Sequence, residues 1–286
     1  MPTSPDPLTR ARQRYVDLLK RSLRGVTSFD NTLRIRYLRQ CAEGQATYDP
    51  RILHDIRQHD PGDALRLAIA GNEGTTVDFN LDNLGYDYTM IGEKRLDNIE
   101  ASFHTLIEDG IPGDLIECGV WRGGAVVFMC GLLEAYDIPD RRVWVADSFQ
   151  GLPLPSAAPD VAAGLDLSRD QCPMLAIDAD TVMRAFEVHG LWNPRVRLLP
   201  GWFKDTLATA PIDQLALVRL DGDLYESTMD GLVGLYDRLA PGGFIIIDDL
   251  FVPACRQAVD EFRAARRIRE PIVPIDWTGG YWRRDR

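Results

Sequence analysis

The chain lacks any apolar run near the roughly 20 residues that span a bilayer, and its start, Met1-Pro-Thr-Ser-Pro-Asp-Pro7, is polar and proline-rich, with no basic stretch leading into an apolar one. Both absences point to a cytoplasmic protein with neither membrane span nor secretory leader. Histidine is scarce at four, and the five cysteines (Cys41, Cys118, Cys130, Cys172, Cys255) are scattered, without the Cys-x-x-Cys or His-x-x-His spacing of a zinc, iron or redox centre. Reduced, mostly buried thiols are expected. Positive charge is also short: 32 Lys and Arg stand against 43 Asp and Glu, a formal net charge of -11. This argues against nucleic acid as a partner, because phosphate binding rests on clustered Lys and Arg. The basic stretches at 10–24 and 263–269 carry apolar residues at helical intervals and read as solvated helix faces.

What is present suits one large α/β domain with an appended arm, given 286 residues and ordinary apolar content. Leu8, Ala11, Tyr15, Leu18, Leu19 and Leu23 fall close to 3.6-residue spacing and predict an amphipathic helix over 8–24. Helices at 32–43 and 50–57 and a Gly/Asn/Asp/Thr-rich loop at 71–87 complete an arm over residues 1–88. From residue 89 helices and strands alternate, which predicts a parallel sheet covered on both faces. Strands are expected at 114–119, 142–147, 195–199, 215–221 and 243–248, with short strands or a hairpin at 273–277 and 280–283 on the sheet edge. The intervening helices are expected at 93–109, 124–136, 179–189, 203–208, 226–239 and 254–266.

Within that frame, Asp114-Leu-Ile-Glu-Cys-Gly-Val-Trp-Arg-Gly-Gly-Ala125 reads as a buried strand breaking into a glycine turn that opens a helix. Glycines 119, 123 and 124 let the backbone approach a ligand, and the new helix offers unpaired N–H groups. The spacing is not the dinucleotide fingerprint Gly-x-Gly-x-x-Gly. An acid at the strand's end, Glu117, suits a cationic or hydroxyl-bearing ligand, as in the first motif of S-adenosylmethionine methyltransferases. A purely structural corner reads the same way. One strand on, Val143-Trp-Val-Ala-Asp147-Ser148 places an acid where doubly wound folds bind ribose hydroxyls, or where Asp and Ser simply cap the next segment.

Two acidic clusters end neighbouring apolar strands, Arg219-Leu-Asp221-Gly-Asp223 and Ile247-Asp248-Asp249. Functional groups gather at the carboxyl ends of strands in open α/β sheets, so these acids are expected in the crevice of the glycine turn. Like charges so placed repel unless protons or a cation intervene, and carboxylate oxygens around an open site suit a hard cation such as Mg²⁺. Separately solvated acids are the alternative.

The segments Tyr88-Thr-Met-Ile-Gly-Glu-Lys-Arg-Leu-Asp-Asn98, Pro112 to Ala125, Val143 to Gly151, Pro200-Gly-Trp-Phe-Lys-Asp-Thr-Leu207, Arg219 to Asp230, Ile247 to Asp249, Cys255 to Val259 and Tyr281-Trp-Arg283 together resemble the macrocin O-methyltransferase family, over about residues 88–284. The stretch from about Asp30 to Gly85 is longer than the family's usual arm. The resemblance implies a class I, Rossmann-like methyltransferase domain at 89–286 using S-adenosylmethionine and Mg²⁺. Its acceptor would be a sugar hydroxyl of a glycosylated antibiotic of macrolide or aminocoumarin type. It further implies that Glu117, Gly119, Val120, Asp147, Ser148 and Trp202 bind the donor, and that Asp221, Asp248 and Asp249 hold Mg²⁺. Asp221 or Asp223 would accept the proton, and the arm would serve as a lid and in a homodimer or higher homo-oligomer. Tyr86, Tyr88, Trp202, Phe203 and Tyr225 are candidates for the aglycone pocket, or for the core. A catechol-type phenolic methyltransferase and a non-catalytic homologue that binds donor or sugar are the competing readings.

Overall fold

The computed structural model describes residues 6–59 and 88–285. Tyr86, and the loop expected at 71–87, lie outside the described residues. The chain divides into two compact units, Met1–Leu96 and Asp97–Arg286.

In the first unit, α1 (Pro7–Leu23) starts on Asp6, whose carboxylate accepts the N–H groups of Leu8 and Thr9, and Pro7 at the first position carries a φ already helical. Val16, Leu19 and Leu23 are buried on one face, while Leu8, Tyr15 and Leu18 are exposed. The expected apolar stripe is therefore divided between two faces. After α2 (Phe29–Ala42), α3 (Pro50–His54) and α4 (Ile56–His59) form the stretch read as one helix at 50–57. Leu33, Tyr37 and Ile56 make a small core there. The Tyr37 hydroxyl donates to the Thr47 carbonyl and accepts from Asp49 N–H, so this buried phenol is satisfied on both counts.

The second unit is built on a seven-stranded sheet ordered β3-β2-β1-β4-β5-β7-β6. Its strands are β1 (Asp114–Cys118), β2 (Val143–Asp147), β3 (Val196–Pro200), β4 (Leu215–Leu220), β5 (Leu239–Ile247), β6 (Val273–Pro274) and β7 (Gly280–Arg283). The first five pair in parallel, and β7 and β6 add antiparallel at the edge as the expected hairpin. The central strands are nearly continuous apolar runs because helices cover both faces; β4 is buried along its whole length. The helices are α5 (Glu93–Glu108, across the division between the units), α6 (Gly124–Ala135), α7 (Ala158–Ala163), α8 (Ala179–Val188), α9 (Phe203–Thr206), α10 (Tyr225–Leu235) and α11 (Pro253–Arg266).

Two differences from the sequence reading have clear causes. β5 begins at Leu239 rather than 243, because Pro241-Gly-Gly does not end the strand: Leu239 pairs with Leu215, the register then shifts, and Gly242 absorbs the irregularity at φ +86. Such a bulge is where proline and glycine are tolerated in a sheet. The short helix α7 lies between β2 and α8, where no element was expected, and its six residues are too few to show a helical period.

Candidate active site

The sheet's hydrogen-bond ladder continues just past the strand ends and sets the acids in place. Asp221 N–H donates to the Cys118 carbonyl, Asp248 N–H to the Leu220 carbonyl and Gly119 N–H to the Ala146 carbonyl, each at 2.9 Å. The glycine turn and both acidic clusters thus share the carboxyl edge of β1, β4 and β5, as parallel topology requires.

Gly119 sits there at φ +85, and a Cβ would lie 1.8 Å from the Asp221 carbonyl oxygen. The side chain is excluded by the end of the neighbouring strand. The sequence reading attributed this glycine to ligand approach; the structure gives a packing reason that holds with or without a ligand. Gly123, at φ +85, opens α6.

Asp147 ends β2 and braces the turn: one carboxylate oxygen accepts Val120 N–H and the other Phe149 N–H, both at 2.8 Å. Burial raises its pKa, against the pull of those backbone N–H groups. Ser148 is used locally, since its hydroxyl donates to the Gly151 carbonyl and accepts from Gln150 N–H. Both side chains therefore do the capping that was the alternative reading, and a ribose contact would add to it. Gly201 N–H donates to the Asp147 carbonyl, which brings partly buried Trp202 alongside this acid at the head of α9.

The centre of the site is a residue that sequence reasoning missed. Arg219 is 1% exposed near the carboxyl end of β4 and its guanidinium bonds three carboxylates at three strand ends: Glu117, Asp221 (2.8 Å) and Asp248. Part of the counter-charge that clustered acids require is therefore supplied by the chain itself. The signal was available in Leu215-Ala-Leu-Val-Arg-Leu220, where a single charge interrupts a buried strand, and such a charge must be paired.

One guanidinium faces five acids, however, and the excess shows in their titration. Burial pushes Glu117 up to about 8 despite Arg219. Asp223 is pushed up to about 7, by burial first and then by Asp221 and Asp248. Asp249 is raised well above the usual carboxylate range, by burial and then by Asp223. Asp223 and Asp249 keep some exposed surface, but protein crowds both carboxyls. Acids raised in this way are ones whose charge a proton or a cation would relieve.

Asp221, Asp223 and Asp249 each offer a carboxylate oxygen, all within 4.8 Å of one another. Of the expected metal set, Asp221 and Asp249 are in this group, while Asp248 turns an oxygen to Arg219 and Asp223 takes the third place. Hard oxygen donors at that spacing fit a divalent cation such as Mg²⁺. One oxygen of Glu117 is buried without a hydrogen-bond partner among the described residues, so a donor's polar group fits beside the glycine turn.

Among the pocket candidates, Tyr225 is tied by its hydroxyl to Glu261 at 2.7 Å, Phe203 packs partly on the core, and Tyr88 N–H donates to the Leu23 carbonyl. An aromatic pair outside the sequence reading is more open: Phe251 and Trp277, 64% and 58% exposed, lie edge to face with ring centroids 5.1 Å apart. Phe251 is two residues past Asp249, and Thr278 Oγ1 donates to the Asp248 carbonyl at 2.8 Å, which ties Trp277 to the same strand end. No helix among the described residues is long and apolar enough to cross a membrane.

The family model described as Macrocin-O-methyltransferase (TylF) matches residues 12–284. The chain is 51% identical over 199 residues to mycinamicin III 3''-O-methyltransferase of Micromonospora griseorubida, covering 69% of this chain and 78% of that protein. It is 41% identical over 273 residues to the 8-demethyl-8-(2,3-dimethoxy-alpha-L-rhamnosyl)-tetracenomycin-C 4'-O-methyltransferase of Streptomyces olivaceus, covering 96% of this chain and 93% of that one. The solved structure of the O-methyltransferase NovP superposes with a TM-score of 0.76 at 39% identity, over 96% of this chain and all of that one.

Proposed function

Since this chain belongs to the macrocin O-methyltransferase family and is an S-adenosylmethionine-dependent O-methyltransferase, we propose that it methylates a sugar hydroxyl of a glycosylated natural product with the help of Mg²⁺. The observation that carries the reading is the group of three carboxylate oxygens around Asp221, Asp223 and Asp249, at the strand edge that also holds the glycine turn. A relative that aligns along nearly the whole chain is named for methylating a rhamnosyl 4'-hydroxyl, which supports a sugar acceptor.

The chemistry follows from these residues. A sugar hydroxyl holds its proton almost as tightly as water, and bound Mg²⁺ would stabilise the alkoxide charge as it develops. Asp221, Asp248 and Asp249 are the ligands in this reading, with Arg219 holding Asp221 and Asp248 in position. Asp223, with its pKa pushed up to about 7, suits proton transfer near neutral pH and accepts the hydroxyl proton. The present arrangement also favours a second reading, in which Asp223 is the third ligand and Asp248 stays with Arg219. Glu117 and Asp147 flank the donor's place on the other side of the glycine turn, and Trp202 walls it. Fixing donor and acceptor on one rigid strand edge supplies much of the acceleration as positioning. The exposed Phe251–Trp277 pair lies where an apolar aglycone would rest once its sugar reaches Asp249.

In this reading the apolar residues that α1 leaves exposed, Leu8, Tyr15 and Leu18, join two copies of the chain. The test of function is methyl transfer with donor and Mg²⁺ to deoxysugar glycosides and to catechols in parallel. Methylated glycoside with untouched catechol is expected; the reverse would identify a phenolic methyltransferase, and donor binding without turnover on either would identify a non-catalytic homologue.

A further inference from the structure

The loop between β2 and α8 sends one acid into the interior. Asp160, on α7, is fully enclosed, with no exposed surface. Its carboxylate accepts two backbone N–H groups from a distant part of the chain, Tyr225 at 2.7 Å and Glu226 at 3.2 Å. Those are the first two residues of α10, whose opening N–H groups have no intrahelical partner, and a carboxylate there also meets the positive end of the helix dipole. The helix has no cap of its own, since the residue before it is Leu224, which makes no side-chain capping bond. Ser156, on the same loop, adds a hydrogen bond to Glu226 at 2.6 Å.

The segment held in this way begins immediately after Asp223. Asp223 adopts φ +55, in the left-handed region that residues with a β-carbon rarely occupy. Such a conformation persists only where the surroundings over-determine it. Its own N–H donates to Asp249 at 3.0 Å, and Leu224, next along, is completely buried. The strained turn is thus gripped before it by the acid cluster and after it by Asp160.

We infer that Asp160 is a positioning residue for methyl transfer: by fixing the first turn of α10 it holds Asp223 in the strained conformation that aims its carboxylate at the acceptor hydroxyl. The inference rests on the reading of Asp223 as proton acceptor. It concerns a side chain that touches neither donor nor acceptor and acts wholly through Asp223.

A double-mutant cycle tests it, with Asp160→Ala, Asp160→Asn, Asp223→Asn and the combinations. Asp160→Ala is expected to lower kcat by about 10-fold or more while donor affinity, read by calorimetry, stays within about 2-fold, and the same change in the Asp223→Asn background should cost less than about 2-fold. Asp160→Asn, which keeps one carbonyl acceptor for an N–H group, should restore part of the loss and carries the cycle if the alanine variant does not fold. Losses that multiply independently of Asp223, or donor affinity that falls in step with kcat, would overturn the inference. An Asp223→Asn enzyme with full kcat would instead overturn the assignment of Asp223 on which it rests.

Discussion

Replacing Arg219 by Met keeps most of the side-chain volume inside β4 and removes the guanidinium that bonds Glu117, Asp221 and Asp248 together. Breaking a buried pair from one side costs about 3–5 kcal/mol, because the remaining charge is stranded. Here the stranded groups are acids and can relieve the cost by taking up a proton, so the penalty must depend on pH. In the parent, Glu117 already sits at about 8; without Arg219, one further proton should settle on the acid cluster. The folded variant then binds one more proton than the folded parent, while the unfolded chains are alike. Unfolding free energy falls with pH wherever the folded state holds the extra proton, by about 1.4 kcal/mol per pH unit. The variant's deficit should therefore be small near pH 5 and grow to about 4 kcal/mol by pH 8. Urea unfolding of both proteins in EDTA at pH 5, 6, 7 and 8 reads this directly. A deficit that is the same at every pH, or that shrinks as pH rises, would refute Arg219 as the counter-charge of the acid cluster.

Three other outcomes are expected. EDTA should abolish turnover and Mg²⁺ restore it; binding should displace protons from acids raised as Asp223 and Asp249 are, so Mg²⁺ affinity should strengthen from pH 6 to pH 8, which calorimetry in buffers of different ionisation enthalpy would show as proton release. Asp223→Asn should keep Mg²⁺ and donor binding but lower turnover by about 10²- to 10⁴-fold, the range for losing a general base, whereas Asp248→Asn should lose Mg²⁺ affinity; the opposite pattern would exchange their roles. Light scattering at micromolar concentration should give at least a dimer, weakened when Leu8 and Leu18, both 58% exposed on α1, are changed together to Lys; a monomer in the parent would remove that interface.

The fold was legible wherever apolar runs of strand length met turn residues at both ends. Strand β1 and its glycine turn, β2 ending on Asp147, and β4 running up to Asp221 stand in the sequence at nearly their final bounds, while β5 was legible at its end before Asp248 but not at its start. The pairing of site residues was less legible, because it depends on what lies across the sheet. Arg219 neighbours Glu117 directly on β1, yet the two are separated by about a hundred positions, and no periodicity links them. The packing reason for Gly119 was hidden for the same cause, since the atom that forbids a side chain there belongs to Asp221 on the next strand. Asp160 gave no signal at all: its partners are backbone N–H groups, which every residue but proline carries.

The central claim is that the methyl group ends on a sugar oxygen. Turnover of a deoxysugar glycoside with Mg²⁺ and a donor carrying a ¹³C-labelled methyl, followed by carbon–proton correlation NMR of the product, places that methyl at a single atom. The account predicts a labelled methoxyl correlated with one carbon of the sugar ring. A label on the aglycone, on a phenolic oxygen, or on no acceptor at all would contradict it.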